Sequence, residues 1–139
     1  MERIVRELKN AGVFFVATGD GDQPRVRPFS SITLFEGCIY LCTNNTKDVY
    51  RQIMKNPRVE ICALQQDKAW IRVAGILRHD PRDEAKSAML ADETGPSHAY
   101  HVGDGIFEVF RLEVLSAIKS RYLPDKTIQT QHLIPELHP

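Results

Sequence analysis

Ile4, Val5, Leu8 and Ala11 recur at helical spacing and Gly12 follows them, which predicts a short amphipathic helix over residues 2–11. The period then changes to two. Residues 13–18 form a β-rich run that Gly19-Asp20-Gly21-Asp22 ends as a hairpin turn. Residues 25–34 read as the returning strand, and Phe35-Glu36-Gly37 turns the chain into a third strand over 38–43. Three strands joined by short turns predict an antiparallel meander. Residues 46–55 read as a helix with Val49, Ile53 and Met54 facing inward, stopped at Asn56-Pro57 because the residue before proline disfavours helix. Residues 58–64 and 69–78 make a further hairpin around 65–68. Asp80-Pro81 signals a helix start, with Asp as cap and Pro in the first turn, and the helix runs to about Ala91 or Asp92. Residues 93–105 read as loop and 106–114 as a sixth strand, continuing in one reading through 116–122. The tail from Pro124 shows no periodicity.

The elements predict a mainly β fold, an antiparallel barrel or strongly curled sheet with helices capping its ends. The core candidates are Val26, Ile32 and Leu34 on one strand, Val59, Ile61 and Ala63 on another, and Ile71, Val73, Gly75 and Leu77 on a third. With 139 residues and no repeat or low-complexity stretch, the chain is expected to be one domain spanning 1–139. Lys plus Arg number 18 and Asp plus Glu number 18, so the formal net charge is zero. A basic site can only be local, suited to a small anion, and nucleic acid is not expected as a partner. No apolar run is long enough to span a bilayer, and the charged start lacks a signal-peptide core, so no membrane association and a cytoplasmic location are expected. Cys38, Cys42 and Cys62 are odd in number and lack CxxC spacing, which reads as buried reduced thiols.

Four places carry candidate chemistry. Arg25, Arg27 and Phe29 alternate and project the same way, with the arginine Cα atoms roughly 7 Å apart. A pair of guanidinium groups that close calls for an anion or carboxylates between them, but a solvated outer face is the commoner fate of strand arginines. Thr43-Asn44-Asn45-Thr46-Lys47 leads a strand into a helix start, a weak anion site with Lys47 beside it. The plainer reading is capping by Asn45, and Asp48 in the first turn opposes a phosphate. Trp70 and Arg72 point away from the predicted core, which suits an interface or ring-stacking site, or equally a Trp shielded by a loop. His98-Ala99-Tyr100-His101 lacks a third ligand and reads as a surface loop, so no metal site is expected. Cys38 and Cys42 stand roughly 13 Å apart, too far for a disulfide or a shared metal. Cys42 has no evident base and reads as neither ligand nor nucleophile. No GxGxxG, GxxxxGK[ST], HExxH or GxSxG occurs.

Taken in order, these features resemble a known family. Gln23-Pro24 after a turn, a strand with Arg27, a hairpin closing on Gly37, a strand ending in Thr43-Asn44, a helix with Lys47 and Gln52-Ile53, then Asn56-Pro57-Arg58-Val59 and a strand centred on Gly75 resemble the pyridoxamine 5′-phosphate oxidase-like superfamily of FMN-binding split barrels. The match covers roughly residues 10–80, with a looser fit beyond, and lies in order and spacing rather than in any single motif. The resemblance implies a six-stranded antiparallel split barrel of the FMN-binding type, a homodimer, and FMN in a cleft at the subunit interface. Arg27 and Lys47 would hold its phosphate with Thr43 and Asn44 donating nearby. Pro28, Phe29 and Ser30 would run beside the isoalloxazine ring, Cys42 would sit next to the cofactor, and Trp70 and Arg72 would reach the flavin of the other subunit.

Two departures shape the functional expectation. Asp48 stands where oxidases of the family often carry further basic residues. The chain also reaches Pro139 without the C-terminal Trp and Arg/His substrate segment of a true pyridoxamine phosphate oxidase, so that specific activity is not expected. The resemblance implies an FMN-binding flavoprotein, an oxidoreductase of unidentified small-molecule substrate in which the flavin performs the redox chemistry and no catalytic acid or base is assigned. The alternative is a non-catalytic flavin- or haem-binding module, with His98 or His101 as an iron ligand in the haem case.

Overall fold

Buried side chains alternate along the strands of the central hairpin, as a period of two requires. Val59, Ile61 and Ala63 face inward from one strand, and Ile71, Val73 and Leu77 from its hairpin partner. The computed structural model describes residues 1–135, and among them eight strands form one antiparallel sheet with three helices, consistent with a split barrel. In chain order these are α1 (Glu2–Ala11), β1 (Phe14–Asp20), β2 (Gln23–Phe29), β3 (Thr33–Phe35), β4 (Cys38–Asn44), α2 (Asp48–Lys55), β5 (Arg58–Leu64), β6 (Trp70–Asp80), α3 (Asp83–Ala91), β7 (Phe107–Tyr122) and β8 (Ile128–His132). The strand order is β2-β1-β5-β6-β7-β4-β3, with β8 added to the far half of β7.

That order corrects the expected three-strand meander, and the strands number eight rather than six. The run 25–34 is two strands: β2 pairs only with β1, and β3 pairs with β4 at the opposite end of the sheet. The break at Ser30-Ser31-Ile32 is set by a distant loop. Ser31 Oγ donates to the Thr94 carbonyl at 2.7 Å, and the Ile32 N–H and C=O both bond Thr94 Oγ1 at 3.0 Å. Glu36 and Gly37 both take positive φ (51° and 74°), the geometry of a two-residue hairpin turn matching strand twist, and so bring β4 back against β3. The tail also differs from expectation, since β8 pairs with β7 there; 136–139 lie outside the described residues.

The main core joins Ile4 and Leu8 of α1 and Val49 and Ile53 of α2 to the inner faces of β1, β4, β5, β6 and β7. A smaller cluster (Tyr40, Cys42, Ala85, Met89, Phe107, Val109) lies beneath α3 on the other face of β4 and β7. Val26 is not in the core: it is 66% exposed, and Leu34 is only half-buried. Met54 is likewise exposed, and the buried polar Gln52 takes an inward place on α2 beside Val49 and Ile53. Asp80 ends β6 rather than capping α3; its carboxylate accepts from the Arg82 N–H and guanidinium and from the Tyr40 hydroxyl. Asn45 is not the cap of α2 either, since Lys47 holds that position and Asn45 Nδ2 bonds the Gly105 carbonyl and Glu108. Of the cysteines only Cys42 is buried; Cys38 and Cys62 are half-exposed, and all three are free thiols.

Candidate functional site

The sheet ends at β2 and β3, and past the short β3 the uncovered part of β4 faces β2 across a gap without pairing. β3 covers β4 only at Cys38–Tyr40, so residues 41–44 keep an unpaired backbone edge toward this gap. A cavity of about 190 Å³ occupies it, lined by Arg27, Pro28, Phe29, Ser30 and Ser31, by Cys42 and Thr43 of β4, by Lys47 and Val49 at the start of α2, and by Pro96 and Tyr100. Seven of the ten candidates named from sequence therefore meet on one wall or another: Arg27, Pro28, Phe29, Ser30, Cys42, Thr43 and Lys47. Asn44 adjoins them through its bond to Tyr100. Trp70 and Arg72 do not line the cavity. They sit on the outward face of β6, where Trp70 packs on Tyr122 at 5.2 Å between ring centroids.

Arg27 faces inward because β2 is an edge strand whose inner side is the cavity rather than the core. The alternation read from sequence is right, but its faces are reversed, with Val26 outside. Arg27 Nη1 donates to the Val16 carbonyl at 3.1 Å and to Thr18 Oγ1 at 2.7 Å, and Nη2 donates to Gln52 Oε1 at 2.5 Å. Thr18 Oγ1 donates to the same Gln52 oxygen at 2.7 Å. Thr18 and Gln52 are buried, so the guanidinium is held by a satisfied polar network, and its remaining N–H groups have no acceptor among the described residues. Burial and the like charge of Arg25 both lower the Arg27 pKa, with Asp48 opposing them; an anion in the cavity would relieve both penalties.

Beyond Arg27 the gap opens into a charged recess. Arg25, Arg27, Lys47 and Arg51 border it with Asp20 and Asp48, four cations against two carboxylates. Asp20 lies 3.4 Å from Arg25 and 3.6 Å from Arg51, and Asp48 lies 3.6 Å from Arg51. Arg51 thus engages both carboxylates, while Lys47 makes no salt bridge among the described residues. The recess keeps two positive charges in excess in a chain whose net charge is zero.

The other end of the cavity is less charged. Thr43 is 7% exposed, and its hydroxyl makes no hydrogen bond among the described residues. Burial pushes the Cys42 thiol up to about 11, against the opposing influence of the neighbouring Ser31 hydroxyl and the charge of Lys47, so it stays a neutral thiol near pH 7. The loop wall is pinned through Asp92, which accepts from Lys9 Nζ (2.9 Å), Thr33 Oγ1 (2.9 Å) and the Thr94 N–H (2.8 Å). Sequence reasoning missed Gln52, Thr18, Ser31, Pro96 and Tyr100. Only Gln52 left a signal, as a polar residue at inward helical spacing. His98 and His101 are exposed and do not line the cavity. Among the described residues no group of three or more His, Cys, Asp or Glu gathers to hold a metal, and no helix is long and apolar enough to cross a membrane.

The architecture is that of a split barrel, and the comparisons with known proteins agree. The sequence pattern of the family described as pyridoxamine 5′-phosphate oxidase matches residues 1–119. The chain belongs to the pyridoxamine 5′-phosphate oxidase-like family and has its split-barrel fold. Among solved structures, a NimC/NimA family protein from Clostridium acetobutylicum is 37% identical over 96% of this chain and 92% of that one, with a TM-score of 0.83. A haem-binding protein from Mycobacterium smegmatis is 20% identical with a TM-score of 0.70, and the match covers 94% of this chain but 55% of that one. A pyridoxamine 5′-phosphate oxidase-related, FMN-binding protein from Nostoc punctiforme is 15% identical with a TM-score of 0.59 over 96% and 93% of the two chains. The last two show a shared fold. None of the curated proteins matches the chain.

Proposed function

We propose that the protein is a flavoprotein that binds FMN in this cavity and acts as an oxidoreductase on a small molecule, as a homodimer in the cytoplasm. The observation that carries this reading is the pairing of a recess two positive charges in excess with a cavity lined by Pro28, Phe29 and Tyr100. A phosphate monoester is a dianion near neutral pH and a flavin ring is planar and largely apolar, so the two halves of FMN match the two halves of the gap. Arg27, pre-oriented by Gln52 and Thr18, and Lys47, with no competing salt bridge among the described residues, would take the phosphate. The Thr43 hydroxyl and the unpaired edges of β2 and β4 would bond the polar rim of the ring. Bound there, FMN supplies hydride and single-electron transfer. The chain itself orients the ring and shields it from water; Cys42, held protonated, adds no nucleophile.

A cavity of about 190 Å³ is smaller than the ~300–1,000 Å³ usual for an organic ligand of this size. One chain therefore encloses part of the cofactor, which is the support for a second copy completing the site. The outward sheet face that begins at Pro28 and runs through Phe15, Cys62, Arg72 and Ile118 is the surface such a copy would cover, and it carries Trp70 and Arg72. A haem variant of the reading finds weaker support, since no histidine among the described residues lines the cavity and the thiol of Cys42 is hard to ionise.

The test is an absorption spectrum of the purified protein followed by FMN titration and sedimentation. Yellow protein whose flavin is released on denaturation, sedimenting as a dimer, is expected. Colourless protein that gains no bound absorbance with FMN would overturn the reading. Replacing Arg27 and Lys47 together by Ala should weaken FMN binding about 100-fold, as for two lost charge-assisted bonds. Reduction by NADH or NADPH with turnover of an acceptor separates an enzyme from a non-catalytic carrier.

A further inference from the structure

One polar group on the cavity wall has no part in holding a phosphate. Asn44 Oδ1 accepts from the Thr46 backbone N–H at 3.0 Å and from Thr46 Oγ1 at 2.5 Å. A main-chain N–H can only donate, so the amide oxygen faces Thr46 and the amide nitrogen faces the other way. The 2.6 Å contact between Asn44 Nδ2 and the Tyr100 oxygen is therefore a bond donated by Asn44. A phenol oxygen that accepts one bond still carries its own hydrogen, and no described residue accepts it. The Tyr100 ring stacks on Phe107, with centroids 5.2 Å apart and planes 26° apart, so the hydroxyl is fixed from both ends.

The position of this donor matters as much as its orientation. Arg27, Lys47 and Val49 border both the cavity and the cationic recess, whereas Tyr100, Pro96, Ser31 and Cys42 border the cavity alone. Tyr100 thus stands away from the anion-binding end, beside the segment expected to carry a planar ring.

We infer that Tyr100 is a specificity-determining binding residue of the cavity, its hydroxyl donating to an uncharged acceptor, a carbonyl oxygen or unprotonated ring nitrogen, on the planar part of the occupant, with Asn44 as its positioning residue. The inference rests on the flavin reading for the occupant, a heteroaromatic ring rimmed with such acceptors. A planar ligand lacking an acceptor at that point leaves the hydroxyl unpaired and is disfavoured.

The test compares FMN, which carries phosphate, with riboflavin, which does not. Dissociation constants from flavin fluorescence are measured for the wild type, Tyr100→Phe, Asn44→Ala and the double variant. Tyr100→Phe keeps the stacked ring but takes the acceptor from Asn44 Nδ2, so a melting temperature only a few degrees below the wild type is expected. It should weaken FMN and riboflavin by the same factor, about 3–10-fold for one neutral hydrogen bond, and shift the bound flavin's absorption maximum. Asn44→Ala should weaken both flavins alone but add little in the Tyr100→Phe background, the signature of action through Tyr100. Unchanged affinity for both flavins in Tyr100→Phe overturns the inference and leaves the flavin reading intact. A loss confined to FMN also overturns it, since that would put Tyr100 on the phosphate. Wild-type protein that binds neither flavin removes the flavin reading, and this assignment with it.

Discussion

Gln52 is the perturbation that best separates folding from binding at this site. Its Oε1 accepts from the Thr18 hydroxyl and from Arg27 Nη2, and the residue is 4% exposed. Gln52→Leu fills the same space but offers neither bond. The Thr18 hydroxyl, itself buried, and one arm of the guanidinium then lose their acceptor. Leaving a buried hydroxyl unsatisfied costs about 1–3 kcal/mol, and the lost charge-assisted bond adds to that. A net loss of about 2 kcal/mol is expected, which for a chain of this size lowers the melting temperature by roughly 6–8 °C. Gln52→Glu keeps an acceptor oxygen for both donors and adds a negative charge beside Arg27. Its stability should hold or rise, while affinity for FMN or inorganic phosphate falls about tenfold or more, since one unit of the site's excess charge is neutralised. Urea unfolding and phosphate-sensitive fluorescence titration on both variants read the two effects separately. If Gln52→Leu melts with the wild type, the network contributes nothing; if Gln52→Glu binds the anion unchanged, Arg27 does not face the ligand.

Other consequences of the structure are open to measurement. A Cβ on Gly75 would meet the Glu113 carbonyl and Leu112 Cδ1, each at 2.7 Å, where β6 and β7 shift register, so Gly75→Ala should cost about 1–3 kcal/mol in urea unfolding. The bonds from Arg82 and Tyr40 hold the Asp80 carboxyl at about 2; at Asp92 burial works upward, but bonds from Thr94, Lys9 and Thr33 hold the pKa below its ordinary 3.8. Both folded values are depressed, so this stabilisation is complete above the unfolded value and disappears as pH falls from about 4 toward 2, and Asp92→Asn should flatten that part of an acid unfolding curve. Cys42, buried with its thiol at about 11, should react with iodoacetamide at pH 8 far more slowly than in urea-unfolded protein, as peptide mass mapping would read.

Much of the architecture is legible in residue order. The spacing of Ile4, Val5 and Leu8, the hairpin at 65–68 and the alternation of Ile71, Val73 and Leu77 rest on local periodicity, which neighbouring residues alone establish. The break at 30–32 was not legible, because the bonds that cause it come from Thr94, some sixty positions away. The short strand at 128–132 was missed for a related reason: its pairing with Ile118 to Tyr122 holds it, not any apolar pattern of its own, since all five residues are exposed.

The candidate site divides in the same way. Arg27, Cys42, Thr43 and Lys47 could be proposed from residue type and order, and the structure gathers them around one cavity. Which face of β2 turns inward was beyond the sequence, because an edge strand over a cavity shows the same alternation as one over a core, and only the fold says which side is empty. Tyr100 and Gln52 belong to the site for the same reason. The sequence by itself determined the strands, the helices and the supply of cations. Tertiary structure decided where the sheet stays open and which polar groups meet there, because both depend on contacts between segments far apart along the chain.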